Sequence, residues 1–312
     1  MRGVRFTHEN MTSGVAAIRA LPPTSIGLSN LDTIVSCHSL STPYGRGIAY
    51  TALYENASFA TLDSTRIYDA ASQANKDLKD ILSTRRRPIP HPTVLFAEPG
   101  HLEDLSTSVL KEAKASWLFF LAWRHKLAAF AEGFISKVSL WDRMVFDNAR
   151  EHALNHMAST LKVVVVSGGK WTFVSTSKFP VTPPGPVSNE TLTLSRVALS
   201  VPVINSYMHP CASGPVFATN AFDLQVLPSA DGRAHLGGPS VNVEAKLKGV
   251  SDADLEENGD LVGELVLRGP SVGRYWVGHG EEEHGEEGAW TETGEVARAM
   301  TNGAFSLVGQ VA

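Results

Sequence analysis

Several short runs in this chain have residue types and spacings that could do chemistry. Trp290-Thr291-Glu292-Thr293-Gly294-Glu295 closes on a Thr-Gly-acid turn, and such a turn can offer its carboxylate to vicinal hydroxyls, as acidic residues do for ribose. Four consecutive valines, Val163 to Val166, lead into Ser167-Gly168-Gly169-Lys170. That run invites a phosphate-loop reading, which the spacing rejects. A Walker loop needs a glycine where Val164 stands and a hydroxyl where Trp171 stands. His38 follows the apolar run Asp32 to Val35 and Ser36-Cys37. His279, Glu281, Glu282, Glu283, His284, Glu286 and Glu287 could hold a cation weakly, but nothing in their spacing fixes a geometry, and a solvated acidic loop is the favoured reading. No Gly-x-Ser-x-Gly elbow is read, so serine hydrolase chemistry is not expected.

The elements that must position these residues alternate between strand and helix patterns. Thr7 can cap a helix running to about Ala20, ended by Pro22-Pro23. The run from Ser41 to Gly47 reads as a turn, and Ile67, Ala71, Ala74 and Leu78 mark an amphipathic helix capped by Ser64. Thr93 to Ala97 reads as a buried strand. A long helical region is expected from Glu103 to about Phe134, interrupted at Gly133, and another from Leu140 to His156. Lys162 to Val166 is the clearest strand, with the unbroken apolar run of a sheet covered on both faces. The alternation predicts an α/β fold of mainly parallel sheets covered by helices. From Val201 onward the segments shorten and glycines multiply, predicting a small β-rich subdomain.

Composition narrows the function classes. The chain has 312 residues, 43% apolar and 19% charged, which fits one large core or two subdomains sharing it. A formal charge of −5 gives no support for a nucleic-acid partner. The basic run Arg85-Arg86-Arg87, followed by Pro88 and Pro90, reads as a solvated loop that could touch an anionic surface. Two cysteines, Cys37 and Cys211, cannot build a disulfide framework, so a reducing compartment is expected. No signal peptide is read at the start, and the most apolar run, Ala115 to Phe130, carries Arg124, His125 and Lys126. An intracellular protein is therefore expected, cytoplasmic or held peripherally on a membrane such as that of the endoplasmic reticulum or peroxisome.

Taken together, Gly263-Glu264-Leu265-Val266-Leu267-Arg268-Gly269-Pro270, Trp290 to Glu295, and Arg2-Gly3-Val4-Arg5-Phe6-Thr7-His8-Glu9-Asn10 resemble the adenylate-forming (AMP-binding) superfamily. The succession Trp117-Leu118-Phe119-Phe120, Ser139-Leu140-Trp141-Asp142-Arg143-Met144-Val145-Phe146-Asp147 and Val163 to Gly169 is similar to the long-chain fatty acyl-CoA synthetases in particular. The resemblance implies an ATP-dependent ligase that joins a fatty or other carboxylic acid to coenzyme A with Mg2+. It implies an AMP-binding α/β core over residues 1–222 and a β-rich subdomain over 223–312. It also places a phosphate loop before Arg2 and a lysine-bearing domain after Gly309, so the chain is expected to be truncated at both ends.

Site roles follow from the same resemblance. Tyr207 stands where the adenine-packing aromatic is expected, Glu295 where the ribose-binding aspartate is expected, and Gly168 and Gly169 in a turn that lines the nucleotide. Ser167, His38 and Gly214 fall on substrate-lining positions. For Ser167-Gly168-Gly169 a plain turn at a strand end, and for His38 a satisfied histidine, remain equal readings. The pattern breaks at Pro210 and Cys211, which occupy the positions of the phosphate-binding threonine and the magnesium-binding glutamate. Proline has no hydroxyl and a thiol is a poor ligand for a hard cation, so no catalytic residue is expected to be intact. The alternative is a non-catalytic protein of the same fold that binds acyl groups or nucleotides.

Overall fold

The computed structural model describes residues 2–61, 92–155, 157–168, 187–227, 232–250, 261–277 and 290–310. The predicted helix beyond Ser64, the Arg85–Arg87 run and the acidic loop 279–287 lie outside the described residues. In chain order the strands are β1 (Arg2–Arg5), β2 (Thr33–Ser36), β3 (Ser58–Thr61), β4 (Val94–Ala97), β5 (Val163–Ser167), β6 (Val203–Tyr207), β7 (Phe217–Ala218), β8 (Gly238–Pro239), β9 (Glu244–Lys248), β10 (Val262–Arg268), β11 (Arg274–Val277), β12 (Thr291–Ala299) and β13 (Phe305–Gln310).

The larger sheet has the order β3-β2-β4-β5-β6-β7-β8. Its first five strands are mutually parallel, and β7 and β8 return antiparallel. Every residue of β4, β5 and β6 is buried, which is why the valine run can be unbroken: helices cover both faces. The helix Pro99–Ala113 supplies one cover, burying Leu102, Leu105, Val109 and Ala113 along one stripe. A second sheet, β13-β12-β10-β9, is antiparallel throughout. Its Leu265, Leu267 and Ala297 pack with Tyr207, Phe217 and Phe305 to form a core shared with the end of the larger sheet. Leu236 N donates to Phe305 O at 2.7 Å and Phe305 N to Gly237 O at 2.9 Å, which sews the two sheets together. Gly237 has φ +79°, and a Cβ there would lie 2.1 Å from Ala218 O, so only glycine fits this seam.

Thr7 caps the helix His8–Arg19 in a reciprocal capping box with Asn10. The Asn10 amide reaches across to Pro270 O at 2.9 Å and Val272 O at 3.1 Å, and β1 pairs with β11. Two expectations need correction. The Ser41–Gly47 run is no turn throughout: Thr42 caps a helix, Pro43–Tyr54, with proline in its first turn. Its glycines serve close packing, since a Cβ at Gly47 would sit 2.8 Å from Ile18 Cδ1. The long helix expected from Glu103 is two, Pro99–Ala113 and Phe119–Ala131, broken where the Ser116 hydroxyl and carbonyl take the amides of Leu118 and Phe119.

Asp142 is fully buried at the start of a helical segment that continues through Asp147–Leu154. Its carboxylate accepts from Lys126 Nζ at 2.5 Å, Ser139 Oγ at 2.6 Å and Arg150 Nη2. Lys126 and Arg150 both also bond Ser200 Oγ, at 2.6 and 2.9 Å. Burial alone would raise the Asp142 pKa, but Lys126, Ser139 and Arg150 hold it below the ordinary carboxylate value. Burial pushes Lys126 down to about 8 against the pull of Asp142. This cluster ties three covering helices to one another. Replacing Asp142 with alanine leaves two buried cations without their counter-ion, and the expected loss is about 3–5 kcal/mol of unfolding free energy, read by urea denaturation.

Candidate functional site

The parallel strands end together, with Ser36 beside Phe96, Ala97 beside Val166 and Ser167 beside Ser206. Ligands of open α/β sheets bind outside such carboxyl ends, and here the ends carry polar groups in an otherwise apolar layer. His38 lies two residues beyond β2, its amide donating to Ser36 Oγ at 3.1 Å. Its ring stands edge-on to Tyr44, centroids 5.1 Å apart, and the Tyr44 hydroxyl pairs with Ser167 Oγ at 2.8 Å. Burial, then the neighbouring His101, push the His38 pKa down to about 3, so the ring is neutral. Burial lifts the Tyr44 phenol to about 12. His38 Nε2 is buried without a hydrogen-bond partner, while Ser206 stands beside the Tyr44 hydroxyl. An unsatisfied polar atom of that kind is costly in an interior, and it marks these strand ends as a place that can accept a polar group.

A second cluster adjoins it past the end of β6. The Tyr207 hydroxyl donates to the Glu295 carboxylate across 88 residues of sequence. Glu295 is positioned by the turn before it: Gly294 has φ +74°, and Thr293 Oγ1 donates to Leu265 O at 2.7 Å while accepting Glu295 N at 3.1 Å. Burial raises the Glu295 pKa to about 7, partly opposed by the Tyr207 hydrogen bond. His209 Nδ1 lies 2.8 Å from Cys211 Sγ and accepts the Cys211 amide at 3.2 Å. With Nδ1 accepting, the network assigns the ring proton to Nε2, on the side of the Thr293 backbone. Burial pushes the thiol up to about 12, with the Glu295 charge adding to it, and holds His209 down near 4. The pair is a neutral thiol and a neutral imidazole, the opposite of an activated cysteine.

The structure therefore brings His38 and Ser167 to one cluster and Tyr207, Cys211 and Glu295 to the other, with Pro210 on the turn between His209 and Cys211. Gly168 is half-buried and a Cβ there would meet nothing within 4 Å; Gly169 lies outside the described residues. Gly214 is packed against the helix His8–Arg19, where a Cβ would come 2.9 Å from Gly14 Cα. Tyr44, Ser206, His101 and His209 were not singled out from the sequence. Ser206 alternates with Asn205 and Tyr207 inside a buried strand, a signal for a polar group at a strand end; Tyr44 was hidden inside an apparent turn. One serine motif needs correction: Gly269-Pro270-Ser271-Val272-Gly273 has the Gly-x-Ser-x-Gly spacing. It follows antiparallel β10 rather than opening a helix, and Ser271 is fully buried with its hydroxyl donating to Asn242 O at 3.1 Å. Among the described residues no group of three or more His, Cys, Asp or Glu side chains is placed to hold a metal ion, and none of the helices is long and apolar enough to cross a membrane.

Comparison with solved structures is decisive for the architecture. The chain superposes over 99% of its length on a benzoate CoA ligase from Burkholderia xenovorans, with TM-score 0.58 and 14% identity, covering 47% of that chain. It superposes over its whole length on a long-chain-fatty-acid-CoA ligase from Archaeoglobus fulgidus, with TM-score 0.55 and 18% identity, covering 49% of that chain. The fold is that of the acyl-CoA synthetases. In sequence, this acyl-CoA synthetase-like chain resembles long-chain fatty acid ligases almost end to end. It is 25% identical to long-chain-fatty-acid–CoA ligase 5 of Mus musculus over 98% of the chain and 40% of that protein, and 25% identical to fatty acyl-CoA synthetase B of Dictyostelium discoideum over the same shares. The chain thus spans about 40% of the length of the curated relatives it matches. No protein-family model matches it.

The Glu295 shift gives a pH test. A carboxyl whose folded pKa, about 7, lies above its unfolded value of 4.5 contributes stability below pH 4.5 that is lost as pH rises through 7. Glu295→Gln removes that contribution. The difference in unfolding free energy between wild type and variant is expected to change by about 3 kcal/mol across this window, measured by denaturant melts at several pH values; a difference independent of pH would refute the assignment.

Proposed function

We propose that this chain is the central portion of an ATP-dependent fatty acid–CoA ligase, and that the 312 residues alone have little or no ligase activity. The observation that carries the reading is the convergence of Tyr207 and Glu295 at the end of β6, within a chain that resembles fatty acid ligases over 98% of its length. In this chemistry a carboxylate oxygen attacks the α-phosphorus of ATP, the bond to the β-phosphate oxygen breaks, and pyrophosphate leaves. The coenzyme A thiolate then attacks the acyl carbon and AMP departs. Positioning and charge stabilisation do the work. Tyr207 would pack on adenine, and Glu295 would exchange the Tyr207 hydroxyl for the ribose hydroxyls. His38, Ser167 and Gly214 would line the acyl side, with Gly168 and Gly169 in the turn beside the nucleotide. The division into an AMP-binding core over 1–222 and a β-rich subdomain over 223–312 belongs to the same reading, as does an intracellular location.

A nucleotide suits the residues present, because Glu295 carries a buried carboxyl group held beside the Tyr207 ring at the end of β6. Magnesium does not suit them. The position expected to carry its glutamate is Cys211, a buried thiol already engaged by His209, and no step is assigned to the ion here. That engagement favours the second reading, a non-catalytic protein that keeps nucleotide or acyl binding.

Two assays on the intact chain separate these readings. Calorimetry above pH 8 with a non-hydrolysable acyl-adenylate analogue should show binding that weakens roughly tenfold or more when Glu295→Ala removes the carboxylate acceptor. Palmitate-dependent exchange of pyrophosphate into ATP should be at background for wild type and reappear when Pro210→Thr and Cys211→Glu are combined in a chain extended by the flanking regions of its relatives. Exchange in that extended chain without the substitutions would eliminate the non-catalytic reading; no analogue binding at all would eliminate both.

A further inference from the structure

One buried titratable group belongs to neither the strand-end cluster nor the Tyr207–Glu295 cluster. His235 is 2% exposed, and among the described residues neither of its ring nitrogens meets a partner in hydrogen-bond geometry. Its backbone is fixed, since Asn205 Nδ2 donates to His235 O at 2.8 Å and Leu236 N to Phe305 O at 2.7 Å. The ring is therefore held in an interior where an unmet polar atom is costly. Most of what faces it comes from one loop, residues 220–227. Asp223 Oδ2 stands 3.9 Å from His235 Nε2, just beyond hydrogen-bond reach. The Gln225 backbone also faces the ring and favours its charged form, as a carbonyl acceptor does. The helix Asn189–Leu199 adds Arg196, fully buried, with its guanidinium on Val203 O at 3.1 and 3.2 Å. Asp223 and Arg196 are the charged groups acting on the ring among the described residues, while Asn205 of β6 meets only its backbone.

The loop is pinned at both ends. Thr219 N donates to Asn205 O at 2.9 Å, and Asn189 Nδ2 to Leu227 O at 3.1 Å. Between the pins Asp223 is the one charged residue. Its Oδ1 accepts Gln225 N at 3.1 Å, which leaves Oδ2 for the ring. Phe222 and Leu224, on either side of Asp223, line an open apolar cleft of about 280 Å³ together with Phe134 and Pro202. A neutral imidazole has one N–H to give and an imidazolium has two. The charged ring is thus the state that matches a carboxylate and a carbonyl at once. We propose that His235 is a proton-operated latch: charging its ring draws Asp223 and Gln225 inward, and Phe222 and Leu224 follow, reshaping the cleft. Burial holds the His235 pKa below its ordinary 6.5, against the pull of Asp223 and Gln225 and with the push of Arg196. The latch therefore works on the acid side of that value. A histidine whose folded pKa lies below its unfolded one costs stability as pH falls through 6.5, and closing the loop on the charged ring recovers part of that loss. The device is independent of the ligase reading.

Amide hydrogen exchange on the intact chain, at about pH 7.5 and about pH 5.5 and corrected for intrinsic rates, tests the latch. On acidification the amides of residues 220–227 should gain roughly tenfold in protection relative to those of β6. The comparison with β6 removes any change in global stability, including that from Glu295. His235→Asn should abolish the gain. Asp223→Asn should abolish it too, and should lower the midpoint of the His235 ring titration, followed by NMR, by about one pH unit. Asp223 is partly exposed, so its variant is expected to keep the wild-type melt at neutral pH and keeps the test open should His235→Asn misfold. A gain of protection that survives in Asp223→Asn overturns the proposal, as does a ring that titrates at or above 6.5. Loss of protection in the loop at acid pH also overturns it, because the charged ring would then be expelled to water instead of gripped.

Discussion

The arrangement depends on one constraint: β2, β4, β5 and β6 are buried along their length and end level with one another. A parallel sheet covered on both faces has no room for polar side chains except where its strands run out. Ser36, His38, Ser167 and Ser206 gather there, and Asn205 inside β6 is tolerated because its amide finds His235 O at 2.8 Å. Tyr44 joins them only because Thr42 and Pro43 start a helix at that edge. The crevice is thus a by-product of strand packing, with side-chain identity deciding what it can hold.

The neighbouring cluster is organised differently. Tyr207 satisfies Glu295, and His209 satisfies Cys211, so each polar group already has a partner. A ligand entering there gains only the difference between its own hydrogen bonds and those it displaces. The orphaned His38 Nε2 carries no such competition. Affinity in the two halves of the site therefore has separate origins, exchange in one and relief of an unmet donor or acceptor in the other.

Much of this was legible beforehand, for reasons that lie in particular residues. The valine run suited a doubly covered strand and Thr7 suited a helix cap, and the structure has both. Tyr207 and Glu295 were found through the resemblance of their surroundings, since no periodicity joins residues 88 apart. Gly45 and Gly47 misled, because glycine marks both turns and tight helix contacts and only the packing against Ser39 and Ile18 tells which. The break at Ser116 rests on one hydroxyl competing for the backbone, a choice that helix propensity leaves nearly balanced. His209 gave no signal, because its role depends on a contact two residues away within a loop.

The amino-terminal clamp has a temporal side. The helix His8–Arg19 is secured by Asn10 bonding Pro270 and Val272, and by the Ser213 hydroxyl bonding Asn10 O. Its anchors are thus synthesised some 200 to 260 residues after the helix itself. At roughly 5–20 residues per second on the ribosome, the first helix made must wait on the order of ten seconds or more for the contacts that fix it. During that interval Ile18 can already pack on the helix Pro43–Tyr54, made soon after it, so the amino-terminal end of the helix, around Asn10, is the part that waits for the late strands.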